Sequence, residues 1–416
     1  MRTEVSGGRR AGWIGAGYAA QGFGYAAVVT ALPAFKERQG IDDGFVSVIL
    51  LLVCVAAAGG SILADKAAAR WGSRYALSGG LLAVAAGLGL TTFPTPTPIF
   101  TVILIAYGIG LGAVDASLSM QGVLVQARLG RSVMSRLFAA YTAAAITAAL
   151  LMSGFAASGG GAALAVGAAA VLAAGVVVLG FSSLEPAKTV MPDLVGSTRH
   201  GGTGHENTGH EGTGHEGSRR DSTRHVVLVC GAFIFTAFLA DSAVSTWSSV
   251  YLDDSLLASA AVVPLGYAAY QAAVLISRLV GDHVVPRAGR GAAAAGSLLI
   301  CAVGCGIVVA VPAVVPAIIG FALAGIGVGI LVPLAFSAAG EATPGHSDEV
   351  IARVNLFNYG GALLGAVLLG ALSEPIGLRT AFLIPVIGLL ATVPVVRALR
   401  RLPTTPAILP PATAPR

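Results

Sequence analysis

Two carboxylates stand where a carboxylate is expensive. Asp115 and Asp241 are the acids that fall deep inside long apolar runs of this 416-residue chain. An ionisable group at such a depth costs about 2.5–3.5 kcal/mol on insertion scales, and it usually faces a cavity, a partner or an ion pathway. The chemistry that suits such a group is reversible carriage of a proton. Helical spacing gives both acids polar company, because residues three and four apart share a face. Ser119 follows Asp115 by four, and Gln121 lies in the same run. Asp241 is followed by Ser245 and Ser248, and Tyr18, Gln21 and Tyr25 form a stripe of their own. Gln271 follows Tyr267 by four, and Asn355 pairs with Asn358 by three. Each stripe also has a plainer reading, as interhelical hydrogen bonding worth about 0.6 kcal/mol per contact.

Other chemistries find no support. The chain has no Walker motif, no HExxH and no GxSxG. Its Gly-x-Gly runs follow no strand, so a phosphate-binding turn is not expected. An enzyme or an ATP-driven pump is therefore not expected, nor is a cofactor. The four cysteines, Cys54, Cys230, Cys301 and Cys305, all lie in apolar runs without a CxxC spacing and read as small apolar filler.

The elements that must position these residues are set by composition. Hydrophobic residues make up 55% and charged residues 11%, against about 25% charged in soluble domains. The charges gather between continuous apolar runs of bilayer-spanning length. Continuity excludes the alternating pattern of a membrane β-barrel. Twelve runs are expected as helices, beginning near Gly12, Gly44, Tyr75, Ile99, Leu137 and Ala162, then Val226, Ala258, Gly291, Val314, Val354 and Ala381. The fold class is an all-α membrane protein of twelve transmembrane helices in two six-helix bundles. The expected domains are residues 1–184 and 226–401, joined by a linker over 185–225 and followed by a tail over 402–416.

The two halves repeat. Leu63 to Arg74 and Leu279 to Arg290 each place an acid after an apolar run, with Arg five residues later and Gly seven later: Asp65, Arg70 and Gly72, then Asp282, Arg287 and Gly289. The offset, 282 − 65 = 217, also relates Gly108, Gly110 and Gly112 to Gly325, Gly327 and Gly329, and Arg136 to Arg353. One offset recurring three times marks two copies of one unit. The glycines let helices approach closely and suit two bundles that rock against each other.

Orientation follows from the cations. With a cytoplasmic N-terminus, Lys36, Arg38 and Arg379 are the outer members of the 25 Lys and Arg, and the other twenty-two lie inside. This is a positive-inside pattern, and it accounts for the formal charge of +5 without a nucleic-acid partner. Both termini are expected in the cytoplasm of a cell-membrane protein. The linker repeats His205-Glu206, His210-Glu211 and His215-Glu216 amid Gly and Thr. It reads as a low-complexity cytoplasmic linker rather than a metal site, and no metal ligand is expected.

The twin Asp-x-x-x-x-Arg-x-Gly stretches resemble the inner-loop signature of the major facilitator superfamily of secondary transporters. Ala31 to Arg38, Gly112 to Gln121, Leu129 to Arg136, Trp247 to Leu252 and Arg278 to Asp282 resemble the branch of bacterial transporters similar to fucose permeases. Departures are the extra residues between Asp65 and Gly72, Ser119 where the branch has Asn, and Thr246 where it has an acid. The resemblance implies that the first, fourth, seventh and tenth helices line a central cavity, which places Gln21, Asp115 and Asp241 there. It also implies an inner gate: Asp65 docks near Arg353 at the start of the eleventh helix, and Asp282 near Arg136 at the start of the fifth. Arg70, Arg74, Arg287 and Arg290 complete that motif.

The expected function is secondary active transport of a small organic solute by alternating access between the halves, coupled to protons through Asp115 and performed by a monomer in the lipid bilayer. Proton-driven efflux of a drug or secreted metabolite is one alternative. A non-transporting membrane sensor, with the His-rich linker as its metal input, is the other.

Overall fold

The computed structural model describes residues 2–129, 133–184, 213–342 and 347–403. Most of the His-rich linker and the end of the tail lie outside the described residues. In the first half, α1 spans Arg2–Gln39, α2 Asp43–Trp71, α3 Ser73–Thr91, α4 Thr97–Leu129, α5 Met134–Ala157 and α6 Gly161–Gly180. In the second, α7 spans Thr213–Val250, α8 Val263–Ala288, α9 Arg290–Ala310, α10 Val314–Ala342 and α11 Ser347–Ile376. The last span, α12 (Leu378–Leu399), is assembled from short helical segments. Ten of the twelve, all except α1 and α3, are long and apolar enough to cross a membrane.

The two halves pack alike. α1 lies against α5, α2 against α4, and α3 against α4 and α6; correspondingly α7 lies against α11, α8 against α10, and α9 against α10 and α12. The likeness extends to single residue pairs. A Cβ on Gly108 would meet the Val53 carbonyl at 2.7 Å, and one on Gly325 the Tyr270 carbonyl at 2.4 Å. Gly112 abuts Ala57 as Gly329 abuts Val274; Gly110 abuts Gly80 and Val84 as Gly327 abuts Ser297 and Cys301. The neighbours obey the same offset: 270 − 53, 274 − 57, 297 − 80 and 301 − 84 all equal 217. These glycines therefore seat α4 between α2 and α3, and α10 between α8 and α9. That corrects the expectation that they form the rocking surface between bundles. Glycines two apart in a helix point to different neighbours, so one run serves two contacts inside its own bundle.

The motif glycines have a backbone role. Gly72 (φ 104°) and Gly289 (φ 79°) sit between α2 and α3 and between α8 and α9, in a region that L side chains rarely adopt. Each donates its N–H back into the helix it ends, to Ala68 and Val285 respectively. The Gly-containing motif is thus a tight helix–helix connection made twice.

The bundles meet along α2 with α11 and α5 with α8, and through α1 with α7. Hydrogen-bonded links cross between them at one end, the end where α1 finishes. Lys36 pairs with Asp254 beyond α7, Ser373 donates to Asp43 Oδ2 at 2.8 Å, and Ser153 donates to the Ala261 carbonyl. At the opposite end, Asp65 is exposed, and none of the described residues forms a hydrogen bond or ion pair with it.

Candidate functional site: a polar seam between the bundles

The first half of the site is built by α1 and α4. Gln21 donates to Asp115 Oδ1 at 3.1 Å, joining residues 94 apart in sequence. Gln21 is buried, whereas Asp115 stays exposed near α1 in the middle of its helix. Ser119 donates back to the Asp115 backbone carbonyl at 3.0 Å, so its hydroxyl is held on the same face. Tyr18, one turn from Gln21, lies within reach of Ser119 and Asp115. Its hydroxyl is buried without a hydrogen-bond partner among the described residues, and its ring packs edge-on against Phe138 at 5.3 Å.

The second half is built by α7 and α8. Tyr270 donates its hydroxyl to Asp241 Oδ1, and the Arg278 guanidinium lies within electrostatic reach of the same carboxylate. Gln271 donates to the Tyr267 hydroxyl at 2.8 Å. Tyr25 of α1 and Tyr141 of α5 interact electrostatically with Asp241, and Tyr141 also with Tyr267. Asp241 therefore sits at the seam, with tyrosines from both bundles around it.

The other expected residues divide. Ser245 and Ser248 are buried on α7, and the Ser248 hydroxyl has no partner among the described residues. Asn358 donates to Asn355 at 3.2 Å on α11. Gln121, grouped with the cavity by sequence, is instead fully buried and donates to Ser73 of α3 at 2.9 Å. It lies on the opposite side of α4 from Ser119 because two residues turn a helix through about 200°. Trp247 is also fully buried, and its indole N–H donates to the Ala366 carbonyl at 2.8 Å. That makes it a strut between α7 and α11.

Among the motif residues, Arg70 lies over the Trp71 ring and Arg74 over Tyr75 and Phe181. Arg287 caps its own helix by donating to the His283 carbonyl at 2.9 Å, and Arg290 pairs with Glu341 at the end of α10. Arg136 and Arg353 are exposed, and the Asp282 side chain lies outside the described residues. The expected docking of Asp65 beside Arg353 is not seen: no hydrogen bond or ion pair joins the two among the described residues.

Sequence reasoning missed Tyr141, Tyr270 and Lys36. Tyr270 could have been found, since it falls on the Tyr267–Gln271 stripe by spacing. Tyr141 has only Leu137, Phe138, Ala144 and Ala145 three and four positions away in α5, so no polar stripe marks it.

The family model for the Major Facilitator Superfamily matches residues 229–415, and the fold just described is shared with solved transporters across nearly the whole chain. The second half of the chain thus matches that superfamily's model, and the whole chain has the fold of its solved transporters. Over 368 residues, covering 87% of this chain and 88% of the relative, it is 28% identical to an uncharacterized MFS-type transporter of Yersinia pestis. A bacterial homolog of the human lysosomal transporter Spinster, in an inward-facing and occupied conformation, has a TM-score of 0.70 at 11% identity. That match covers 94% of this chain and 96% of the other. The transporter FucP in its outward conformation has a TM-score of 0.56 at 16% identity, covering 94% and 98%. Together with ten helices long and apolar enough to cross a membrane, these likenesses support a multi-pass membrane transporter.

Proposed function

We propose that this transporter moves a small organic solute across the cytoplasmic membrane by alternating access, carrying protons on Asp115, with both termini in the cytoplasm. The observation that carries the reading is the Gln21–Asp115 pair. A carboxylate at mid-helix depth is held by one neutral amide, stays exposed, and has no cation hydrogen-bonded to it. A group so placed can gain or lose a proton without breaking an ion pair, whereas a structural acid at that depth would be paired. Asp241 differs, because Tyr270 and Arg278 already engage it. We assign it to binding, or to relaying the state of one bundle to the other across the seam.

The lining supports a neutral or mildly polar solute. Amides and hydroxyls predominate, and the buried hydroxyls of Tyr18 and Ser248 have no hydrogen-bond partner among the described residues. Closure at the Lys36 end supports a conformation open toward the termini, which on the cation distribution is the cytoplasmic side.

Asp115→Asn tests the coupling, because it removes a titrating group and hardly any volume. The variant should lose accumulation against a gradient while keeping exchange of labelled solute across the membrane. Undiminished accumulation would make Asp115 structural.

A further inference from the structure

Lys36 lies outside the polar seam, and its contacts are unusual for a cation at a helix end. It pairs at once with Asp43, at the start of α2 in its own bundle, and with Asp254, beyond α7 in the other. The other cations expected at this end are engaged locally. Arg38 donates to the Thr91 carbonyl and lies over Phe35 and Phe100, all within its own bundle. Arg379 donates to the Val309 carbonyl, likewise within its bundle. Lys36 is therefore the cation of the three that joins the halves.

Its two partners are not equivalent. The side chains of Lys36 and Asp43 are 12% and 15% exposed, whereas Asp254 is 41% exposed. When the bundles part at this end, Lys36 keeps Asp43, and Asp254 passes into water. Separation therefore leaves no buried charge unpaired, which is the large penalty for breaking most buried ion pairs. Asp43 also contributes on its far side, where Oδ2 accepts from Ser373 of α11. One carboxylate thus holds both the lysine of the latch and the opposite bundle.

We propose that Lys36, with Asp43 as its permanent counterion and Asp254 as its releasable one, is the latch that closes this end of the transporter and sets how often it opens. Glu37 and Asp253 flank the site and interact with the same group of charges. Without Lys36, the acids Glu37, Asp43, Asp253 and Asp254 face one another across the closing surfaces. Removing Lys36 should therefore open this end more than removing Asp254, since it adds repulsion to a lost attraction.

The proposal rests on the two bundles moving against each other, but not on the solute, on proton coupling or on orientation. The test is chosen to match. In full-length protein with its four cysteines replaced and held in lipid nanodiscs, spin labels at Phe93 and Val311 report the distance between bundles at this end by pulsed electron resonance. The parent should show mainly the short distance. Asp254→Asn should raise the ratio of long to short distances about tenfold, within the range of ordinary conformational couplings. Lys36→Gln should raise it further, and Asp254→Glu should stay close to the parent. High salt should shift the parent toward Asp254→Asn, because Asp254 is open to screening. If Lys36→Gln does not fold, the Asp254 pair of variants decides. An unchanged distribution in Asp254→Asn, or Asp254→Glu behaving like Asp254→Asn, would overturn the latch. Undiminished accumulation in Asp115→Asn, with the Asp254→Asn shift still observed, would instead count against the proton-coupled reading and leave the latch standing.

Discussion

Gly59 and Gly60 are adjacent on α2, yet they should respond in opposite directions to the same substitution. A Cβ on Gly60 would lie 2.0 Å from the Ile109 carbonyl oxygen of α4 and 2.7 Å from its carbon, whereas one on Gly59 meets nothing within 4 Å. Ordinary contact begins at 3.4 Å, so α4 would have to retreat by about 1.4 Å to accept alanine at Gly60. The obstacle is backbone, and no side chain can swing aside. Overpacking of this kind costs about 1–3 kcal/mol. Alanine at an unhindered helical glycine gains about 0.5–1 kcal/mol instead. Gly60→Ala should therefore lower the thermal unfolding midpoint of the purified protein, and Gly59→Ala should leave it unchanged or raise it. The two variants differ by one position on one helix, so detergent and expression effects cancel in the comparison. Equal midpoints, or a loss at Gly59 as large as at Gly60, would refute the packing of α4 on α2 by backbone contact.

Three further outcomes follow from the site. Trp247→Phe should cost about 0.5–1.5 kcal/mol of stability, because the buried indole bond to the Ala366 carbonyl is lost; an unchanged melting curve would deny the strut. Tyr270→Phe should impair transport more than Gln121→Leu, since Tyr270 donates to Asp241 at the seam whereas Gln121 bonds Ser73 inside one bundle. Equal flux in initial-rate assays would argue against that division. In a cysteine-free background, Phe93→Cys should label with an impermeant maleimide in intact cells and Gly212→Cys should not; the reverse pattern would invert the orientation.

The repeat was legible because it is written in backbone-forcing residues. Gly72 and Gly289 are needed for a positive φ, and Gly108 to Gly112 and Gly325 to Gly329 for helix contact, so the 217 offset in sequence reappears as an offset in neighbours. Which surfaces those glycines serve was not legible, since spacing identifies a face and leaves its partner helix open. The same limit misplaced Gln121, whose donor reaches Ser73. Gln21 and Asp115 were both assigned to the cavity, but their direct bond spans 94 positions that no local pattern connects. Lys36 and Asp254 are 218 apart, and no local pattern connects them. A latch of that kind belongs to a conformation, and sequence spacing carries no record of conformation.

Proton movement by the intact protein tests the central claim most directly. Purified transporter in proteoliposomes, loaded with a pH-sensitive dye, would be challenged with a panel of small neutral solutes such as sugars, polyols and nucleosides. At least one member that the protein transports should change the internal pH on addition, with a rate that saturates with solute and disappears in Asp115→Asn. A solute that enters at full rate without moving protons, or moves them equally in Asp115→Asn, would contradict the account.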